Sequence, residues 1–181
     1  MGAIPIYKIA GAAAEAGLSL AEVAALAERY ASRMATLAVA LRPATHPATG
    51  HELFTLPDDE MEIGMGQHGE PGTGRMKLQS ADGTAEAMLE PLLAAVRAQR
   101  GDRLLVLLNG AGATTLMELF LVMRRIGQIL EERGLILARA RVGEFLTVQE
   151  MAGFQMHVGQ MDDELLRWWD APCEAPYFTV T

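Results

Sequence analysis

The stretch 60–72, EMEIGMGQHGEPG, places one histidine, His68, among four glycines (Gly64, Gly66, Gly69 and Gly72), Pro71 and three acidic side chains, Glu60, Glu62 and Glu70. A neutral imidazole nitrogen is a nucleophile able to add to a carbonyl. Glycines let a backbone approach a ligand closely and adopt φ > 0, and a neighbouring carboxylate can fix the ring tautomer and raise its basicity. The residues therefore describe an exposed imidazole at the end of a strand. They equally describe a loop histidine that bonds only its neighbours, and composition alone leaves both open.

Other stretches invite comparison. NGAGATT (109–115) joins a strand to a helix start through glycines, which suits either an anion cradle or a tight turn. It lacks the lysine and spacing of a P-loop, and the dinucleotide fingerprint fails at Thr115. RWWDAP (167–172) pairs two tryptophans, which could stack on a sugar or base but more often anchor a C-terminal helix. His46 and His51 fall in a polar, proline-bearing loop, and His157 alternates with apolar residues in a strand pattern. No histidine pair has the helix-face spacing of a metal site. The single cysteine, Cys173, follows Pro172 near the tail, and no Ser-His-Asp order is readable, so no hydrolase nucleophile is assigned.

The elements that must position these residues follow from hydrophobic period and punctuation. Residues 5–16 read as a helix with Pro5 in its first turn and Gly17 at its end. Ser19 and Glu22 form a capping box for an amphipathic helix to about Met34. The run 36–41 is a strand or a helix end, 42–51 a loop, and 53–56 a strand. EMEIGMG alternates at period two, as a half-buried strand does. A helix covers 84–100, kinked or split at Pro91, and 103–109 is a continuous buried strand. Thr115 and Glu118 cap a long helix closed by Gly134. Strands follow at 135–146 and 154–161, then a short helix stopped by Pro172. Alternating strands and helices predict an α/β layered sandwich, a single domain with a mixed sheet flanked by helices. Met61, Met65, Met117, Met123, Met151, Met156 and Met161 read as core filler.

Composition bounds the rest. The 181 residues suit one domain, half of them apolar, with a net charge of −8 from 23 acidic and 15 basic side chains. That acidity argues against nucleic acid and anionic membrane as partners. One cysteine fits a reducing, cytoplasmic setting, and neither a secretory signal nor an apolar run of spanning length is visible.

Taken together, PDDEMEIGMGQHGEPG (57–72), LLNGAGATTLMELF (107–120) and DDELLRWWDAP (162–172) closely resemble the DhaK-type subunit of dihydroxyacetone kinases, in the family's order, and YKIAGAAAEAGLSLAEV (7–23) is similar to a helix in the middle of its usual chain. The string E-M-E-x-G-x-G-x-H-G-E-P-G is far more specific than a generic glycine loop. The resemblance implies that His68 captures the substrate carbonyl covalently as a hemiaminal, with Gly66 and Gly69 beside it in the substrate site. It implies dihydroxyacetone or a close short-chain ketose as substrate, to the exclusion of glycerol. It implies no cofactor in this chain, with ATP/ADP and Mg held by a DhaL-type subunit and, in bacterial phosphotransferase systems, a DhaM-type phosphoprotein that recharges the nucleotide.

The family's first lobe, with its G-G-G-S-G-H-E-P loop and a histidine–aspartate acid–base pair, has no counterpart here, and the sequence begins roughly where a second, C-terminal lobe would. The general base is therefore unassigned. Activity is expected only with a DhaK-type N-terminal lobe, and the chain is expected to form an oligomer or complex, residues 1–18 being the expected contact. A non-catalytic small-carbonyl-binding or regulatory module built from the same lobe is the alternative.

Overall fold

The computed structural model describes residues 1–65, 72–176 and 178–181. His68, Gly66, Gly69 and Glu70 lie outside the described residues, so the structure carries no statement about them.

Six strands form one mixed sheet in the order β3-β2-β1-β6-β4-β5. In chain order these are β1 (Met34–Arg42), β2 (Glu60–Ile63), β3 (Gly74–Lys77), β4 (Arg103–Gly110), β5 (Ile136–Gly143) and β6 (Ala152–Met161). Only β4 and β5 run parallel, and helix α4 (Leu116–Glu132) makes the crossover between them. The other pairings are antiparallel.

Strand β4 shows why the sheet is covered on both sides. Its run of leucine and valine is buried throughout, yet its alternate residues belong to different cores. Leu104, Val106 and Leu108 pack under α3 (Ala81–Ala95) and α4. Leu105 and Leu107 pack on the opposite face under α1 (Ala3–Glu15), α2 (Leu20–Ala31) and α5 (Asp163–Asp170). Each such side chain contributes about 1.5–3 kcal/mol of burial. The result is a three-layer α/β/α sandwich, as the sequence predicts.

The helix signals hold closely. Ser19–Glu22 and Thr115–Glu118 are complete capping boxes. Leu18 N–H bonds Ala13 O after Gly17, and Leu135 N–H bonds Leu130 O after Gly134, the paired closure expected of a glycine-ended helix. Pro91 does not split α3 into two elements. It lies on the exposed side of one continuous helix held by Met88, Leu89, Leu92 and Leu93.

Three expectations need correction. Residues 53–56 form no strand. The run 36–41 belongs to β1, which starts at Met34, so α2 ends three residues earlier than Met34. Met117 is not core filler: it is 72 % exposed, because it falls on the outer side of α4 beside Leu116, Phe120 and Leu121, all exposed. Within residues 1–18, Ala3, Tyr7 and Ala14 are exposed, Tyr7 at 74 %. Ile9 and Ala13 are fully buried in the core shared with α2 and α5, and Lys8 Nζ donates to Trp168 O at the end of α5. A further group of exposed apolar residues, Leu116, Met117, Phe120 and Leu121, lies on the first two turns of α4. Two elements were unforeseen: β3, and a small ribbon of β7 (Cys173–Ala175) and β8 (Phe178–Val180), whose Phe178 meets Trp169 edge-on.

Candidate functional site

The histidine-bearing segment lies in the chain between β2 and β3, an antiparallel pair whose ends flanking that segment are closely pinned. Gly64 N–H bonds Ala38 O of β1 at 2.8 Å, and Thr73 N–H bonds Ile63 O at 2.8 Å. Thr73 Oγ1 donates to the same carbonyl at 3.1 Å. Gly64 has φ +84°, and a side chain there would meet Thr73 Oγ1 at 2.5 Å. At Gly72 a Cβ would meet the Ile63 carbonyl oxygen at 2.7 Å. These two glycines therefore exist because the strands converge where the His68 segment leaves and re-enters the sheet.

Glu62 completes the clamp. Glu62 as a residue is 8 % exposed; its Oε1 accepts from Gly72 N–H at 2.9 Å and its Oε2 from Arg75 Nε at 3.2 Å. Arg75 in turn donates to Thr55 O. β2 turns the Glu62 side chain toward Gly72 and Arg75. Asp59 and Glu60 are both paired with Lys77, at 2.6 and 3.6 Å. The Lys77 ammonium beside Asp59 holds that carboxyl below its usual range.

The 109–115 turn is filled by protein. A Cβ at Gly112 (φ +123°) would sit 1.8 Å from Gln149 O. Thr114 Oγ1 accepts from Gly153 N–H. The start of α4 is already occupied by a carboxylate, Glu118 accepting from Thr115 N–H and Oγ1. The tight-turn reading is the right one, and the anion cradle is not there to be used. Trp168 and Trp169 are buried in the α1–α2–α5 core, so the pair anchors α5 rather than stacking on a ligand. His46 and His51 are exposed. Among the described residues no group of three or more His, Cys, Asp or Glu side chains could hold a metal ion, and no helix is long and apolar enough to cross a membrane.

Sequence reasoning missed a buried polar row. On β6 the residues facing α1 and α2 are Gln155 and His157, in register with Ala38 and Thr36 of β1 and with Asn109 and Leu107 of β4. His157 Nε2 bonds the Tyr30 hydroxyl at 2.8 Å, while its Nδ1 has no partner among the described residues. Burial, with a smaller push from the chain's terminal amine, lowers its pKa to about 3, so the ring is neutral. Glu144, over Gly110, has a carboxylate oxygen buried without a described partner, and burial raises its pKa. The period-two alternation of FQMHVGQM does mark Gln155 and His157 as sharing one face; what it cannot show is that a second helical layer covers that face.

Comparison with known proteins decides the family. The sequence matches the Dak1 domain over residues 1–177. This chain belongs to the Dak1 domain family. It is 42% identical to the L-erythrulose kinase of Pectobacterium atrosepticum, over 98% of this chain and 31% of that one. It is 40% identical to the dihydroxyacetone-binding subunit DhaK of a PTS-dependent dihydroxyacetone kinase from Listeria innocua, over 93% and 51% of the respective chains. Among solved structures, the dihydroxyacetone kinase operon co-activator Dha-DhaQ superposes with a TM-score of 0.88 at 32% identity, covering 94% of this chain and 53% of that one. The chain thus spans about a third to a half of the length of the relatives it matches.

Proposed function

We propose that residues 1–181 form the C-terminal lobe of a dihydroxyacetone (short-chain ketose) kinase and that His68 is its covalent capture residue, with Gly66 and Gly69 beside it in the substrate site. The observation that carries the reading is the pairing of the H-G-E-P-G string with a hairpin whose ends are fixed by Gly64, Gly72 and Glu62. A nucleophile that must meet a small ketone in one orientation needs such a fixed base.

In this reading a neutral ring nitrogen of His68 adds to C2 of dihydroxyacetone. The N–C2 bond forms, the carbonyl π pair moves to oxygen, and that oxygen takes up the proton released from the ring. No group leaves. The adduct holds a terminal hydroxyl in place for phosphoryl transfer, a reaction dominated by positioning and charge stabilisation. The hydroxyl proton needs a base. Asp59 and Glu62 are already committed to Lys77 and to the hairpin base, so the base is assigned to a DhaK-type N-terminal lobe. The phosphate is assigned to ATP or ADP with Mg on a DhaL-type partner, recharged in some systems by a DhaM-type phosphoprotein.

The test is product formation from dihydroxyacetone by the chain alone, with an N-terminal lobe, and with that lobe plus a nucleotide-bearing subunit. Turnover only in the last mixture supports the reading, and robust turnover by the chain with MgATP alone refutes it.

A second reading has its own observation. The similarity to an operon co-activator at a TM-score of 0.88 supports a non-catalytic module that binds a small carbonyl compound and reports it to a protein partner. Reversible ligand binding with no turnover in the complete mixture favours that reading.

A further inference from the structure

β2 leaves the sheet at Ile63, paired with Val39, so among the described residues the Met34–Leu37 part of β1 has no strand on that side. A cavity of about 240 Å³ lies there, lined by Thr36, Ala38, Gly64, Met65 and Gln155 among others. It is far larger than the roughly 10–15 Å³ that one water needs. Its lining side chains are uncharged, and Met1, which carries the chain's terminal amine, forms part of the wall. Met65 is the last described residue before the His68 segment, so the cavity adjoins the point where that segment leaves the sheet.

Gln155 is 6 % exposed, and its amide is oriented from behind. Asn109 Oδ1 accepts from Phe145 N–H at 2.6 Å and from Leu146 N–H at 2.9 Å, which fixes Asn109 Nδ2 as the donating end. That nitrogen donates to Leu146 O at 2.7 Å and faces Gln155 Oε1 at 3.5 Å, the outer limit of a hydrogen bond. Gln155 Nε2 is then the end left over, and it donates to no described residue. An amide with its acceptor end turned to the protein and its donor end unused, on the wall of this cavity, suits an oxygen-bearing ligand.

The geometry points to Gln155 as a substrate-orienting residue: its Nε2 donates to a hydroxyl or carbonyl oxygen of a short, uncharged polyhydroxy ketone held in this cavity, with the Thr36 hydroxyl at the rim. The identity of the ligand rests on the ketose-kinase reading above; the placement of Gln155 does not.

The test titrates the whole ¹⁵N-labelled chain with dihydroxyacetone. The side-chain amide signals of Gln155, assigned by their loss in Gln155→Met, are expected to move on addition. Gln155→Met, which keeps length and loses the donor, is expected to weaken binding about tenfold, the effect of one lost hydrogen bond to a buried group. His68→Ala, titrated in parallel, separates the two claims: the covalent adduct disappears while the Gln155 signals still move. If the wild-type chain forms the adduct, the Gln155 signals stay fixed and Gln155→Met binds within about twofold, the inference is overturned and the His68 assignment stands. If the Gln155 signals move and no adduct forms, the reverse holds. If neither occurs, both are wrong. The signal movement is read in the wild-type chain, so it does not depend on the variant folding.

Discussion

Two glycines two residues apart in the same hairpin give opposite expectations on substitution by alanine. Gly72 stands where the His68 segment rejoins the sheet, and a Cβ there would lie 2.7 Å from the Ile63 carbonyl oxygen and 2.8 Å from Glu62 Oε1. One of those atoms is backbone in a paired strand and the other is the acceptor of Gly72's own N–H, so neither can yield without loosening the clamp. Overpacking of this kind costs about 1–3 kcal/mol. For a chain of this length that corresponds to a fall in unfolding midpoint of roughly 2–4 °C per kcal/mol. Gly74 begins β3, and a Cβ added there would have nothing within 4 Å. Alanine at that position removes the entropic penalty of glycine in a strand, a gain of about 0.5–1 kcal/mol. Thermal unfolding of Gly72→Ala and Gly74→Ala measures both. Under the proposed function, covalent capture of dihydroxyacetone also drops in Gly72→Ala and is retained in Gly74→Ala. Equal midpoints for the two variants, or a Gly72→Ala chain as stable as wild type, would refute the claim that this glycine is required by the convergence of β2 and β3.

Two further outcomes concern pH. His157 is held neutral with a pKa lowered to about 3, against about 6.5 in the unfolded chain, so the unfolded state binds the extra proton between those values. Stability is therefore full above about pH 6.5 and falls as the pH drops toward 3, by up to several kcal/mol at about 1.4 kcal/mol per pKa unit; denaturant unfolding at stepped pH should show this slope, and His157→Gln should flatten it. Glu144 has the opposite sense: its folded pKa is raised, so its contribution is most favourable in acid and is lost as pH rises through that value. Glu144→Gln should then stabilise the chain at neutral pH with the gain vanishing in acid, and a loss of stability at neutral pH would show that the carboxylate has a partner that burial alone does not reveal.

How much was legible in the sequence depended on the range of the interaction. Ser19–Glu22, Thr115–Glu118, Gly17 and Gly134 act within a few residues, and their helices end where those residues place them, as the 103–109 run gave its strand. The strand order did not follow from local pattern: β6 lies between β1 and β4 although it is last of the six in the chain, because pairing across the sheet depends on tertiary packing. Met117 was misplaced because α4 is apolar on more than its buried side. Glu62 has contacts that local sequence does not show. Its neighbours in sequence include His68, while its hydrogen-bond partners, Gly72 and Arg75, come from the returning strand. Asn109 and Gln155 were read as turn and strand residues, since only the sheet register brings their amides together.

The kinase reading depends on His68 forming a bond to the carbonyl carbon of its ligand. Dihydroxyacetone labelled with ¹³C at C2, added to the wild-type chain and to His68→Ala, reads that bond at the reacting atom. Covalent capture gives a protein-bound C2 signal at a tetrahedral position, together with an intact mass raised by one whole dihydroxyacetone because the addition expels nothing, and neither change in His68→Ala. A C2 signal that stays at the carbonyl position in the wild-type chain, or an adduct that persists in His68→Ala, would contradict it.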